Sequence, residues 1–381
     1  MTSYYDIENC YKLILGRPLN HQERELINHN FLELTDIPLE EHRRRFLTST
    51  EFHERHGELV FDNFVPKSTI ILFETVDGFK IYLDLRQYHI SFGIMSGEYE
   101  KFDIELVKAI VPDEGHFIDV GGNVGYYSLS VAAKPKFSGN ILAFEPLPKL
   151  WELFDRSIKE NGFTAQAVVR QLALADRSGE MELSDAEKTI NAGATRLVAH
   201  SVRAGEAGHV TRVETLDNVI QHHRPDVIKV DIEGAEELFL AGATQTVTRH
   251  RPTMLMEINR DMLAVLSKTS PGAIYRHVSA LGYGIWSVED RKLIHIQNES
   301  MLETQFPFGK VANILAVHGD RMKEVQERIK PLGSELERIQ AKKIRRKKAD
   351  VALTALSYPT TRTGDSESND GKGSLQGLEA T

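Results

Sequence analysis

The fold class this sequence predicts is α/β: a doubly wound, mostly parallel sheet with an antiparallel edge, preceded by a small α-helical unit. Three observations carry it. Short apolar runs alternate with helical segments between about residues 113 and 319, the first run ends in a glycine-rich turn that opens a helix, and the opening sixty residues keep helical spacing. Strand followed by helix, repeated, is how a parallel sheet is buried between two helical layers.

Composition narrows the class. The chain has 381 residues, 41% of them hydrophobic, with 55 acidic against 46 basic side chains and a formal net charge of -9. That is ample for a large core and ordinary for a globular protein. A lone cysteine, Cys10, excludes an internal disulfide framework and a cysteine-based zinc site. The acidic balance argues against nucleic acid as a partner, which needs a broad basic surface. The start, Met1 to Asp6, lacks a basic n-region and an apolar h-region, and no stretch approaches the ~20 apolar residues of a membrane span. A cytoplasmic location is the expectation.

The elements follow in order. Ile7, Cys10, Tyr11, Ile14 and Leu15 recur at helical spacing until Gly16-Arg17-Pro18, and further helical runs cover roughly 20–34 and 38–56, making an α-helical module over 1–60. Residues 61–112 hold a hairpin, Thr69 to Phe73 and Lys80 to Leu83 about a turn at Asp77-Gly78, then a helix near 100–110. The main domain, 113–319, has strands at Phe117 to Val120, Ile141 to Phe144, Val168 to Leu174, Val227 to Val230 and Thr253 to Met256. Tyr283 to Val288 and Asn313 to Val317 are read as an antiparallel pair at one edge. The weakly patterned stretch 184–212 is too long for an ordinary connection and reads as a substrate loop or a surface insertion. Residues 320–349 form a basic amphipathic helical extension interrupted at Pro331 and Gly333, and 350–381 a disordered tail. The basic run 342–348 is a solvated helix end or a weak contact for a membrane surface.

The segment Phe117-Ile118-Asp119-Val120-Gly121-Gly122-Asn123-Val124-Gly125-Tyr126-Tyr127-Ser128 carries most of the chemistry. A strand running into glycines lets a ligand approach the backbone, and Glu145, ending the next strand, is placed to accept hydrogen bonds from both hydroxyls of a ribose. A dinucleotide fingerprint needs glycine where Asn123 and Tyr126 stand, so a pyrophosphate is badly served. A glycine turn and a strand-end carboxylate without a phosphate site describe S-adenosylmethionine.

These residues resemble the FkbM family of S-adenosylmethionine-dependent methyltransferases. The resemblance extends through Phe144-Glu145-Pro146, Ala173 to Asp176, Thr215-Leu216-Asp217 and Ile228-Lys229-Val230-Asp231-Ile232-Glu233-Gly234-Ala235-Glu236, with Gly97 to Glu100 upstream and Asn313 to Val317 downstream. It implies a class I, Rossmann-like methyltransferase. Asp119, Gly121, Asn123 and Gly125, with Glu100, would then surround the methionine part of the cofactor, and Glu145 would hold the ribose. Asp176 would face the adenine; equally, Asp176-Arg177-Ser178-Gly179 is a turn sequence.

Asp231 ends the fourth strand, beside the expected methyl group. It reads as the base for a hydroxyl acceptor, as a partner of the cofactor's ammonium, or as a helix cap. Glu233 and Glu236 suit either the site or a helix N-terminus. Glu257, a second candidate catalytic residue, and Asn259 end the fifth strand. With Asp231 they offer three oxygens for a divalent metal, possible but not expected, because Gly234 stands where the catechol-type O-methyltransferases carry a lysine. His89, His222 and His223 read as surface or packing residues.

Tyr11 to Pro18 and Phe46 to Phe52 are similar to a helical module attached to bacterial glycan-active enzymes. The acceptor this implies is a hydroxyl of a saccharide in a surface glycan or glycolipid. A polyketide-like metabolite is the alternative, as is a non-catalytic adaptor keeping the fold. A nicotinamide oxidoreductase is disfavoured by Asn123 and Tyr126.

Overall fold

The structure, a computed structural model, describes residues 70–183, 197–198, 209–220 and 223–332, with Ile7, Glu8, Tyr11, Leu19, His21, Glu23 and Arg24. All of these belong to one unit, Met1–Leu332. Most of the N-terminal module, Cys10, most of the 184–212 stretch, His222, the 342–348 run and the 350–381 tail lie outside the described residues. Of the module, Ile7 and Leu19 are buried against Tyr11.

The chain enters through a hairpin of β1 (Ile70–Glu74) and β2 (Lys80–Asp84), paired from Ile70↔Asp84 to Glu74↔Lys80. Ile81 and Leu83 point into the core, while alternate residues of β1 stay exposed. This is the period-two pattern of a half-buried hairpin. Helices α1 (Tyr88–Ser96) and α2 (Lys101–Ile110) follow.

Then β3 (His116–Val120), α3 (Tyr126–Ala132), β4 (Asn140–Phe144), α4 (Pro148–Glu160) and β5 (Ala167–Arg170) alternate. The hairpin is pinned to α4: Lys80 N–H donates to Asn161 Oδ1 at 2.8 Å and Tyr82 N–H to Ser157 Oγ at 2.9 Å. After a crossing through β6 (Ala173–Leu174), β7 (Gly179–Leu183), β8 (Leu197–Val198), β9 (His209–Glu214) and α5 (Leu216–Val219), the chain returns as β10 (Val227–Val230). The last part comprises α6 (Glu236–Gly242), α7 (Thr244–His250), β11 (Thr253–Asn259), α8 (Pro271–Ala280), β12 (Tyr283–Glu289), β13 (Lys292–Ile296), α9 (Glu299–Gln305) and β14 (Val311–His318).

The main sheet has eight strands in the order β13-β12-β14-β11-β10-β3-β4-β5. Strands β11, β10, β3, β4 and β5 are parallel; β14 is antiparallel to both of its neighbours. Both faces are covered. Phe117, Leu129, Phe154 and Leu255 pack on one, and Ile118, Val120, Phe239, Met254 and Ile274 on the other. That is why the strands read as unbroken apolar runs. Chain order reverses between β3 and β10, opening a crevice at the carboxyl ends of the strands.

Four expectations are corrected. Val168 to Leu174 is two strands: the turn Leu172 N–H to Arg170 O, 3.0 Å, ends β5, and β6 joins a second sheet, β6-β9-β7-β8. The end of the 184–212 stretch belongs to that sheet, with β9 pairing β7 from Gly179↔Val213 to Leu183↔His209. The run Asn313 to Val317 pairs antiparallel with Tyr283 to Val288 as read, but it lies inside the main sheet as part of β14, and the edge is the mostly exposed β13. Residues 322–332 form a helix that passes Pro331, with Val325 buried and Met322, Ile329 and Leu332 packed on the core.

Candidate active site

The crevice holds a cavity of about 240 Å³. On the β4 side of β3 its wall is apolar: Ile90, Phe144, Leu147, Leu150, Leu172, Leu174 and Leu183. On the β10–β11 side it is Tyr99, Glu100, Asp231, Glu233 and Glu257. Gly121, Asn123 and Glu145 join the two.

The glycine turn owes its shape to close approaches. Gly121 has φ 77°, and a Cβ there would lie 1.8 Å from Asp231 O, so only glycine lets the ends of β3 and β10 meet. Gly125, φ 88°, sits against the Phe154 ring, 2.2 Å from where its Cβ would be. Every N–H from 121 to 125 is used within the protein. Gly121 and Gly122 donate to Phe144 O at 3.0 and 2.9 Å, Asn123 to Glu145 Oε2 at 2.9 Å, Val124 to Asn123 Oδ1 at 2.8 Å and Gly125 to Gly122 O at 2.8 Å. None of these five remains for a pyrophosphate, which explains in geometry what Asn123 and Tyr126 imply in sequence.

Glu145 is 4% exposed, its second oxygen accepting Leu147 N–H at 2.9 Å. Burial pushes its carboxyl up to about 7, against the pull of those two N–H groups. The remaining lone pairs of a carboxylate so fixed can accept ligand hydroxyls.

The acidic side is assembled from separate segments. Glu100 enters at the start of α2 with φ 42°, and accepts Tyr127 OH at 2.6 Å; burial raises its carboxyl to about 7. Asp231 Oδ2 accepts Lys229 Nζ at 2.8 Å. Glu257 is held well above the usual carboxylate range by burial and by Asp231, Glu233 and Glu100. Glu233, φ 49°, accepts Asn259 Nδ2 at 3.2 Å.

Oxygens of Asp231, Glu233 and Glu257 lie within 4.8 Å of one another. Asn259, the third oxygen of the unexpected cation site, caps the following turn with its Oδ1 (3.2 Å from Met262 N) and turns its amide to Glu233.

Other expected residues stand back from the cavity. Asp119 is fully buried beneath it, accepting Ser128 OH at 2.6 Å. Gly125 shapes the turn without lining the cavity. Asp176 follows β6, faces Arg177 at 3.4 Å and is not in the wall. His89, read as a packing residue, is in the wall because α1 folds over the crevice. His223 stacks edge-on to His116 at the opposite end of β3.

Sequence reasoning gave no role to Lys229, Tyr99 or Leu183. Lys229 had a signal: a charge in the middle of the apolar strand Val227-Ile228-Lys229-Val230.

An open parallel sheet with this switch point, glycine turn and strand-end carboxylate defines a class I, Rossmann-like methyltransferase fold. Residues 119–285 match the model of the Methyltransferase FkbM domain. The curated "Methyltransferase 1" of Beauveria bassiana (strain ARSEF 2860) is 29% identical over 179 residues, covering 40% of this chain and 72% of that protein.

Among solved structures, a methyltransferase FkbM from Methylobacillus flagellatus KT is 13% identical with a TM-score of 0.31, over 61% of this chain and 55% of that one. The chain thus spans about half of that relative. A Pyrococcus abyssi tRNA (uracil-54, C5)-methyltransferase in complex with S-adenosyl-L-homocysteine is 14% identical with a TM-score of 0.33, over 65% of this chain and 43% of that one. Among the described residues no helix is long and apolar enough to cross a membrane.

Proposed function

We propose that this protein transfers a methyl group from S-adenosylmethionine to a hydroxyl oxygen of a saccharide. The observation that carries the cofactor is the turn 121–125, whose five N–H groups are all consumed, beside a buried carboxylate with lone pairs to spare. A nucleoside without phosphates suits that pair. Glu145 would accept the ribose hydroxyls, the apolar wall from Phe144 to Leu183 would take the base, and the end bounded by Gly121 and Glu100 the methionine part. Bound there, the cofactor supplies an electrophilic methyl on a sulfonium.

The chain's own contribution is alignment and proton removal. Asp231, with one oxygen occupied by Lys229, offers the other to an acceptor hydroxyl and takes its proton. Glu257, in the same wall and with its carboxyl pushed up by burial and acidic neighbours, orients that hydroxyl. Among the described residues no Lys or Arg lines the cavity, whereas four carboxyl groups do on the acidic side. This lining suits a neutral, hydroxyl-rich acceptor and repels phosphates. It supports a glycan or glycolipid over nucleic acid.

Calorimetry with S-adenosylmethionine tests the cofactor site. Glu145→Ala, losing two hydrogen bonds to a carboxylate, should weaken binding by ~1.5–3 kcal/mol, about ten- to a hundred-fold. An unchanged Kd would move the ribose elsewhere, and a folded wild type that binds nothing would favour the adaptor. Transfer of labelled methyl from the cofactor to a glycan panel, with polyketides alongside, then tests the acceptor.

A further inference from the structure

Lys229 stands where lysine is costly: mid-strand in β10, between β3 and β11, and 3% exposed. Burying an ammonium is tolerated only with close compensation. Its compensation comes from three segments. It lies in register with Asp119 of β3, donates to Asp231 Oδ2 at 2.8 Å, and has its Nζ 4.8 Å from the centre of the Tyr127 ring. The hydroxyl of that same Tyr127 holds Glu100 Oε2 at 2.6 Å. Ser128, next to Tyr127 on α3, holds Asp119.

Asp231 itself lines the cavity with its side chain 24% exposed, and its Oδ1 makes no hydrogen bond among the described residues. One oxygen is tied down and the other left for a ligand. On an alternating strand, residues 229 and 231 share a face, so the lysine reaches its partner from below, the direction that fixes the carboxylate without blocking it.

We infer that Lys229 is a positioning residue for the methyl-transfer end of the site, acting through Asp231. This rests on the proposed cofactor reading. A lysine with this duty differs from one that merely plugs the sheet, because its effect vanishes once Asp231 cannot be gripped as an anion.

The test is a double-mutant cycle read at the cofactor's own methyl group. S-adenosylmethionine labelled with carbon-13 at the methyl is added to the full chain as wild type, Lys229→Met, Asp231→Asn and the double variant. Its bound resonance is recorded by NMR, with circular dichroism confirming the fold. Lys229→Met should shift or broaden the resonance to an extent comparable with Asp231→Asn, and the double variant should match Asp231→Asn alone.

A wild-type resonance in folded Lys229→Met, or shifts that add in the double variant, overturns the inference. Should Lys229→Met not fold, Lys229→Gln, which keeps a donor for Asp231, is judged by the same cycle: its smaller shift must vanish in the Asp231→Asn background. A folded wild type that binds no cofactor is a different failure, that of the functional proposal.

Discussion

Glu236 offers a quantitative check on the buried acids behind the site. It opens α6, is 1% exposed, and accepts Gly234 N–H on Oε1 at 3.1 Å, while Oε2 has no hydrogen bond among the described residues. Burial, reinforced by Asp231 and Glu233, raises its carboxyl from 4.5 to about 8. A carboxyl with a raised folded-state pKa contributes stability that is fully present below its unfolded value and lost as pH rises through the folded one. Between pH 5 and 8 that loss is about 3 kcal/mol for this group alone, a large share of a domain's 5–15 kcal/mol or so.

Glu236→Gln removes the titration and keeps the shape, with the amide oxygen accepting Gly234 N–H and the amide nitrogen taking the place of the protonated oxygen. The expected result, from urea unfolding at several pH values, is a variant within about 1 kcal/mol of wild type at pH 5 and about 3 kcal/mol more stable at pH 8. Parallel stability curves across that range would show that Glu236 is already ionised in the folded protein, and would refute the burial argument.

Three further outcomes are expected. Gly125→Ala should cost about 2–4 kcal/mol in thermal unfolding, because a positive φ and the Phe154 ring both oppose a Cβ; Gly162→Ala, at φ 70° with open space around it, should cost only about 1 kcal/mol. Asp176→Ala should leave the Kd for S-adenosylmethionine within about twofold, since this carboxylate lies outside the cavity wall. Because the ionised form of Glu145 is the hydrogen-bond acceptor and its carboxyl sits at about 7, cofactor binding should weaken by up to about tenfold per unit below that pH. Glu145→Gln should flatten the part of the profile due to this group, and an unaltered profile would place the titration elsewhere.

Much of this architecture is legible in the chain because it is written locally. Phe117 to Val120 and Val227 to Val230 read as strands since both their faces are buried, and Gly121 to Gly125 reads as a turn since its positive φ and close approaches at Gly121 and Gly125 call for glycine. Glu145 is legible for the same reason: it directly follows a recognisable strand. The weaker readings fell where the signal depends on a distant partner. β6 and β9 exist because residues some forty positions apart pair with one another, and two-residue or half-exposed strands leave little periodicity. The helix 322–332 passes Pro331 because Met322, Val325, Ile329 and Leu332 are held by the core, which propensity alone does not report.

By itself, then, the sequence determined the fold class, the glycine turn, the absence of a dinucleotide fingerprint and the strand-end acids Glu145, Asp231 and Glu257. Only the tertiary structure decided which acids meet. Glu100, Asp231, Glu233 and Glu257 come from three separate segments and line one cavity, Asp176 stays out of it, and Lys229 sits beneath with three carboxylates around it. The reason is physical. Burial and Coulomb interactions depend on distance through space, and that distance is set by how β3, β10 and β11 stack side by side rather than by their spacing along the chain.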